Sequence, residues 1–198
     1  MKKIYYITMV AVSIFAAFLS VTLLVRSIKE RNNIEMKTAE STSWQAELEQ
    51  LLPLLGHRNW VVITDMAYPL QSGQGIKTIF ADEPYTEVVA KVKGMINGAD
   101  HVFAHLYRDK ELEFITEEMV PGIEAFKSQM NGICGSDAKS VMHEDLIAKL
   151  DEAGKLFNVV IIKTPLTIPY TTTFFELDCN YWDAERAAKL DAAIKGAK

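Results

Sequence analysis

The sequence predicts a layered α/β domain whose sheet is covered on both faces, standing behind an apolar N-terminal segment. Three observations predict it. Short β-branched runs alternate along the chain with stretches of helical period, the pattern of a layered α/β fold. The strand-like runs are apolar almost throughout, as in Trp60–Thr64 (WVVIT) and Val159–Ile162 (VVII), which is the composition of strands buried on both faces. The chain has 198 residues, 49% of them hydrophobic and 24% charged, a globular composition long enough to bury a core without staples.

The elements follow in order. Lys2 and Lys3 precede Ile4 to Val25, 22 residues without a charge; as a helix these span about 33 Å, the thickness of a bilayer core. The run stays large and apolar to its end and shows no small-x-small cleavage site. Residues 1–26 are therefore expected to be an uncleaved membrane anchor, and the polar stretch 27–43 a tether. Positive charges flank the segment on both sides, so charge counting does not set its orientation. The expected placement is a membrane-anchored domain on the periplasmic or extracytoplasmic side.

In the domain, Trp44–Leu55 has helical spacing at Trp44, Leu48, Leu51 and Leu52, closed by Pro53 and Gly56. Strands are expected at Trp60–Thr64, Ile76–Phe80, Val102–Tyr107, Val159–Ile162 and Tyr170–Leu177. Helices are expected at Tyr85–Met95, Pro121–Met130 and His143–Phe157, with 131–140 as a loop. An Ala-rich helix at Asp183–Ile194 lies outside the obvious core.

Charge and cysteine content narrow the function. Residues 1–37 carry six Lys/Arg and two acids, so of the net −5 for the whole chain, residues 38–198 hold −9. Such a body is a poor nucleic-acid binder, since phosphate contacts need clustered Lys and Arg. Cys134 and Cys179 form no CxxC; they can be two buried thiols or, in an exported domain, a pair. Asp100, His101 and His105 suggest metal only faintly, because no third ligand stands at diagnostic spacing. No cofactor is implied.

Two histidines, an aspartate and a tyrosine are candidates for chemistry. His57 stands just before strand 60–64 and Asp65 just after it, eight positions apart, roughly 26 Å in extended chain. One domain does not easily bring both to one substrate; two subunits can, or the His57 loop folds back. An imidazole and a carboxylate suit proton shuffling on a sugar ring, where the ring oxygen gains a proton as the anomeric hydroxyl loses one. The plainer roles are that His57 ends the first helix and Asp65 caps a turn. His143 opens a helix and can reach a pocket at its N-terminus, or be a surface residue. Pro169 restricts Ile168 and delivers Tyr170 at the start of a strand, as a hydroxyl for a sugar or as a core aromatic.

Gly56-His57, seven residues, Asp65, three residues and Pro69, after a helix ending Leu51-Leu52-Pro53-Leu54-Leu55, resembles the N-terminal signature of the ribose pyranase / fucose mutarotase family. Val160–Thr164, five residues, then Tyr170 is similar to that family's C-terminal strand, loop and Pro-Tyr segment. Phe80-Ala81-Asp82 resembles the Arg-Ala-Asp of the fucose branch, with Phe80 in place of the arginine. The resemblance covers residues 44–178, followed by a helical extension at 179–198. It implies a three-layer α/β/α ribose pyranase-like fold and ring-like homo-oligomers with pockets at subunit contacts. It also implies catalytic roles for His57, Asp65 and Tyr170, and substrate binding by His143, Thr172 and Asp82. Thr172 stands where the family usually has Asn, keeping a hydroxyl and losing the amide's paired donor and acceptor.

The expected function is therefore a monosaccharide mutarotase or pyranase, an isomerase acting on a ribose- or fucose-like sugar by general acid/base catalysis. The alternatives are a catalytically weakened sugar-binding module, favoured by Thr172 and Phe80, and a membrane-tethered assembly protein of the same fold.

Overall fold

Each residue of Trp60–Thr64 is buried, which requires neighbours on both edges and both faces, and the fold supplies all four. The computed structural model describes Thr22, Arg26, Ser27, residues 43–136 and residues 138–197. From Trp44 on, the described residues form one compact unit. The expected anchor, Ile4–Val25, lies outside the described residues apart from Thr22. Among the described residues no helix is long and apolar enough to cross a membrane.

The elements of the domain are α1 (Trp44–Leu51), β1 (Trp60–Thr64), β2 (Ile76–Phe80), α2 (Tyr85–Asn97), β3 (Val102–Asp109), α3 (Ile123–Cys134), β4 (Lys139–Val141), α4 (His143–Leu156), β5 (Val159–Lys163), β6 (Thr173–Cys179) and α5 (Ala184–Gly196). Short 3-10 turns follow α1 at Leu52–Leu54 and β3 at Lys110–Phe114. The strands form one mixed sheet in the order β2-β5-β1-β6-β3-β4. β5 runs parallel to both β1 and β2, β6 runs antiparallel to β1 and β3, and β4 adds in parallel to β3.

Alternate residues of the central strands feed two cores, because successive side chains in a strand point to opposite faces. Val61, Ile63, Val160, Ile162 and Phe175 pack with Leu48 of α1, Val88, Val89 and Val92 of α2, and Ile123 and Met130 of α3. Trp60, Val62, Val159, Ile161 and Phe174 pack with Leu146 and Leu150 of α4. The sheet is thus covered on both faces, as the apolar strands require. No residue of α5 is buried.

The structure shifts several expected boundaries. Pro53 lacks the amide an α-helix would use there, so the first helix ends at Leu51 and continues as a 3-10 turn. The expected loop 131–140 is instead the end of α3 and then β4. Met130 and Cys134, both buried, keep the helical period, and Gly135 stops the helix at φ 75°. β3 runs two residues further than expected, to Asp109. The last strand begins at Thr173 rather than Tyr170, whose φ of 55° takes it out of any ladder. Both cysteines are free thiols, Cys134 buried.

At the turn between β1 and β2 the backbone passes close to the end of α4. A Cβ on Gly75 would run into the carbonyl oxygens of Gly154 and Phe157, while Gly75 O accepts the Val159 N–H at 2.8 Å. Gly75→Ala is expected to cost about 1–3 kcal/mol of stability by overpacking against backbone. Gly94→Ala in α2, where an added Cβ meets nothing within 4 Å, is expected to add roughly 0.5–1 kcal/mol. Urea unfolding of the two variants beside wild type checks both signs.

Candidate functional site

The carboxyl ends of the parallel strands β1 and β5 open on one end of the sheet, the place where open α/β sheets form crevices. Asp65 follows β1 directly. Its Oδ1 accepts the backbone N–H groups of Ala67 (2.7 Å) and Tyr68 (3.1 Å), so it caps the turn after the strand while remaining at the cleft. From β5 the chain passes through Ile168 and Pro169 to Tyr170, which is 44% exposed and so is no core aromatic. The N-terminus of α4 brings His143. Asp65, Tyr68, Pro69, His143, Ile168 and Tyr170 are among the residues lining a cleft of about 550 Å³, within the usual size of a small-molecule site.

His143 is held from several directions. Its backbone N–H donates to both carboxylate oxygens of Glu111, each at 3.1 Å, an acid on the positive end of α4. Its ring meets the Tyr170 ring edge-on, with centroids 5.8 Å apart. Its Nδ1 lies 3.0 Å from Oδ1 of Asp109, the last residue of β3, only 1% exposed. The other Asp109 oxygen accepts the Thr172 N–H at 3.0 Å. An acceptor on Nδ1 assigns the ring proton to that nitrogen and makes Nε2 the unprotonated nitrogen of the neutral ring. The hydrogen bond to Asp109 holds the His143 imidazole above its ordinary pKa, against the effect of burial. Burial pushes the Asp109 carboxyl up, opposed by its bonds from His143 and Thr172.

The segment leading into β6 is fixed from beneath. The buried Tyr85 hydroxyl bonds the Thr171 carbonyl and Thr173 Oγ1, the latter at 2.9 Å. Thr171 Oγ1 donates to the Ile168 carbonyl at 3.0 Å. Lys163 Nζ donates to the Tyr68 carbonyl at 2.6 Å, tying the β1 turn to β5. Two buried hydroxyls here, Tyr68 OH and Thr172 Oγ1, have no protein partner.

His57 is at the opposite end of β1. Its Nδ1 lies 2.6 Å from Asp178 Oδ1, and Arg58 Nε donates to its Nε2 at 3.2 Å. Asp178 Oδ2 is 3.4 Å from His105 Nε2, and Oδ1 also accepts the Cys179 N–H at 2.7 Å. Although burial opposes it, these donors hold the Asp178 carboxyl below its usual pKa. Arg58 has a φ of 73°, and the Arg58 N–H to Leu177 carbonyl bond (3.0 Å) ties this turn to β6. The His57 side chain is 57% exposed.

The structure therefore gathers Asp65, His143 and Tyr170 at one cleft, with Thr172 behind them through Asp109. The His57 loop does not fold back to Asp65. Asp82 follows β2 at the Asp65 end of the sheet, exposed, and is not among the cleft residues. His101 and His105 serve different partners, since His101 Nε2 lies 3.0 Å from the Leu55 carbonyl. Among the described residues no His, Cys, Asp or Glu cluster could hold a metal ion. Asp109 and Asp178, which anchor the two imidazoles, are among the polar residues the sequence does not single out. Both end or nearly end strands that the sequence shows as shorter than they are.

The sequence matches no protein-family model, and no curated protein matches it. Solved structures do. The chain is similar to structures of the ribose pyranase / fucose mutarotase type. One is RbsD of Bacillus subtilis complexed with D-ribose, at 17% identity over 67% of this chain and 92% of that one, with a TM-score of 0.47. Another is the fucose mutarotase of Streptococcus pneumoniae in complex with L-fucose, at 17% identity over 67% and 91%, TM-score 0.45. A third is FucU from Bifidobacterium longum, at 16% identity over 67% and 93%, TM-score 0.43. At that distance the chain's own side chains define its chemistry.

The Thr172 hydroxyl tests how the cleft floor is built. With no protein partner for Oγ1 and its N–H still free to bond Asp109, Thr172→Val is expected to leave stability unchanged or raise it by up to about 1 kcal/mol. A loss larger than that in urea unfolding would mean that the hydroxyl is hydrogen-bonded to an ordered water.

Proposed function

We propose that this chain interconverts the ring or anomeric forms of a free monosaccharide by general acid/base catalysis. The observation that carries the proposal is the convergence of a carboxylate, an imidazole and a phenol (Asp65, His143 and Tyr170) on one cleft large enough for a small molecule. Ring opening needs a proton delivered to the ring oxygen and another removed from the anomeric hydroxyl, and groups of these types move protons near neutral pH. The chemistry calls for no metal or redox cofactor. Tyr170 supports the reading by its backbone: a non-glycine residue at positive φ stores about 1–3 kcal/mol of strain, and such residues concentrate at functional sites.

His57 enters through a second copy of the chain. It lies at the far end of β1 from Asp65, more than half exposed and oriented by Asp178. A homo-oligomer that places one copy's His57 end against another's Asp65 cleft brings both to one sugar. Residues 1–26 would anchor that assembly to a membrane through the 27–43 tether, with the domain outside the cytoplasm.

Sugar binding with weakened catalysis is the second reading. Thr172 favours it, since it is 1% exposed and offers the cleft no amide. Saturation-transfer NMR of anomer exchange, on the full-length protein with ribose, fucose and a panel of other pentoses and hexoses, separates the two. The expected result is exchange accelerated by wild type, reduced on the order of 10²–10⁴-fold by His57→Ala, the usual worth of an acid/base group. Sugar-dependent line broadening without accelerated exchange would establish the binding module instead.

A further inference from the structure

A second acid/base group stands at the cleft within a single chain. Asp65 has one oxygen committed to the amides of Ala67 and Tyr68, and His57 belongs to the other end of the sheet. The imidazole that does stand at the cleft, His143, is fixed by a carboxylate that the fold has buried. Burying a carboxylate is unfavourable unless it is paired and hydrogen-bonded. Asp109 meets that condition with one donor on each oxygen, His143 Nδ1 and the Thr172 N–H, both at 3.0 Å. The Thr172 bond matters because it comes from backbone at the entry to β6 and sets which way the carboxylate faces. Glu111 clamps the backbone of the same histidine, and Tyr170 closes on its ring edge.

We propose that His143 is an acid/base residue of the cleft and that Asp109 is its positioning residue, holding the imidazole so that Nε2 faces the sugar. The inference rests on the sugar-isomerase reading above and deepens it. In the step it describes, protonated Nε2 gives its proton to the ring oxygen as the bond from that oxygen to the anomeric carbon breaks, the electron pair going to the oxygen. The anomeric hydroxyl, held by the Asp65 carboxylate, loses its proton to the neutral His57 imidazole that a second copy brings to the cleft, and the O–H pair becomes the second bond of an aldehyde. Closure runs the same transfers in reverse after rotation about the adjacent carbon–carbon bond. Protons and electron pairs balance with no co-reactant. The charged and titratable groups around His143 are Asp109 and Glu111 from β3 and the turn after it, Glu144 from its own helix, Tyr170 from the β5–β6 loop and Asp65 across the cleft.

Asp109→Asn is the decisive variant. An amide has one acceptor oxygen, and the Thr172 N–H claims it. The amide nitrogen then faces His143 Nδ1, which must become an acceptor, so the ring is driven to the Nε2–H tautomer. Long-range ¹H–¹⁵N spectra of the full-length protein read this directly. The expected result is Nδ1–H in neutral wild-type His143 and Nε2–H in D109N, whose His143 titrates at lower pH once the carboxylate is gone. In exchange kinetics, D109N is expected to lose 10²-fold or more in rate, with the remaining pH profile displaced to lower pH, as expected for the wrong tautomer. His143→Gln is expected to lose rate with little change in KM.

An unchanged tautomer and rate in D109N would overturn the positioning role. A His143→Gln variant that raises KM while keeping kcat would overturn the acid/base role. Should D109N not fold, the wild-type spectrum still decides, because Nε2–H in neutral His143 contradicts the proposal. A wild-type protein that accelerates no sugar removes the isomerase reading and the acid/base role with it, whereas the tautomer measurement still judges Asp109 separately.

Discussion

Strand β1 is hydrogen-bonded along both edges, in parallel to β5 and antiparallel to β6, and carries Asp65 just past one end and His57 just before the other. The parallel partner brings the Thr164–Tyr170 loop to the Asp65 end. The antiparallel partner begins at that same end with Thr173 and, one residue before its own end at the other, places Asp178 beside His57. Because all five β1 residues are buried, the strand cannot slip in register without turning a core face toward the opposite helix layer. The two polar clusters are therefore held one strand length apart. That separation makes the His57–Asp65 signature incompatible with a single-chain pair, and it makes the ends of the sheet, rather than its faces, the reactive surfaces.

Much of the fold was legible because it obeys period. The β-branched runs at 60–64, 76–80 and 159–162 are strands, with the last running one residue further, and the helical spacing of Val88, Val89 and Val92 marks the buried side of α2. What was not legible is where tertiary packing outvotes local signals. Gly132 makes 131–140 look like a loop, yet the burial of Met130 and Cys134 against the core carries α3 through to Cys134. Tyr170–Thr172 reads as strand from composition (YTTTFFEL), yet Pro169 and the positive φ at Tyr170 keep the segment out of the ladder. Edge strand β4, only three residues long, has no periodicity to detect.

The site was partly legible for the same reason. Asp65, His143 and Tyr170 each sit at a boundary the sequence marks, and the structure brings them to one cleft. Asp109 has no such mark. It ends a strand whose buried positions are Val102, Leu106 and Asp109, a spacing that does not follow strict alternation, and an acid in that place reads as solvated. Only the meeting of β3, α4 and the entry to β6 shows that it is buried and paired. Asp178 lies beyond the apolar run that marks its strand, and His57 stands before β1 with a partner that sequence spacing does not reveal.

The outer strands have a consequence for how the molecule behaves in concentrated solution. A sheet edge presents unpaired amides and carbonyls that can template another chain. Here one edge is β4, which offers three residues and begins with an exposed lysine. The other is β2, where Lys77 is exposed and bridged to Glu47 at 3.1 Å. A short edge and a charged one leave little length for strand addition, so the apolar centre of the sheet is shielded from growing into fibrils.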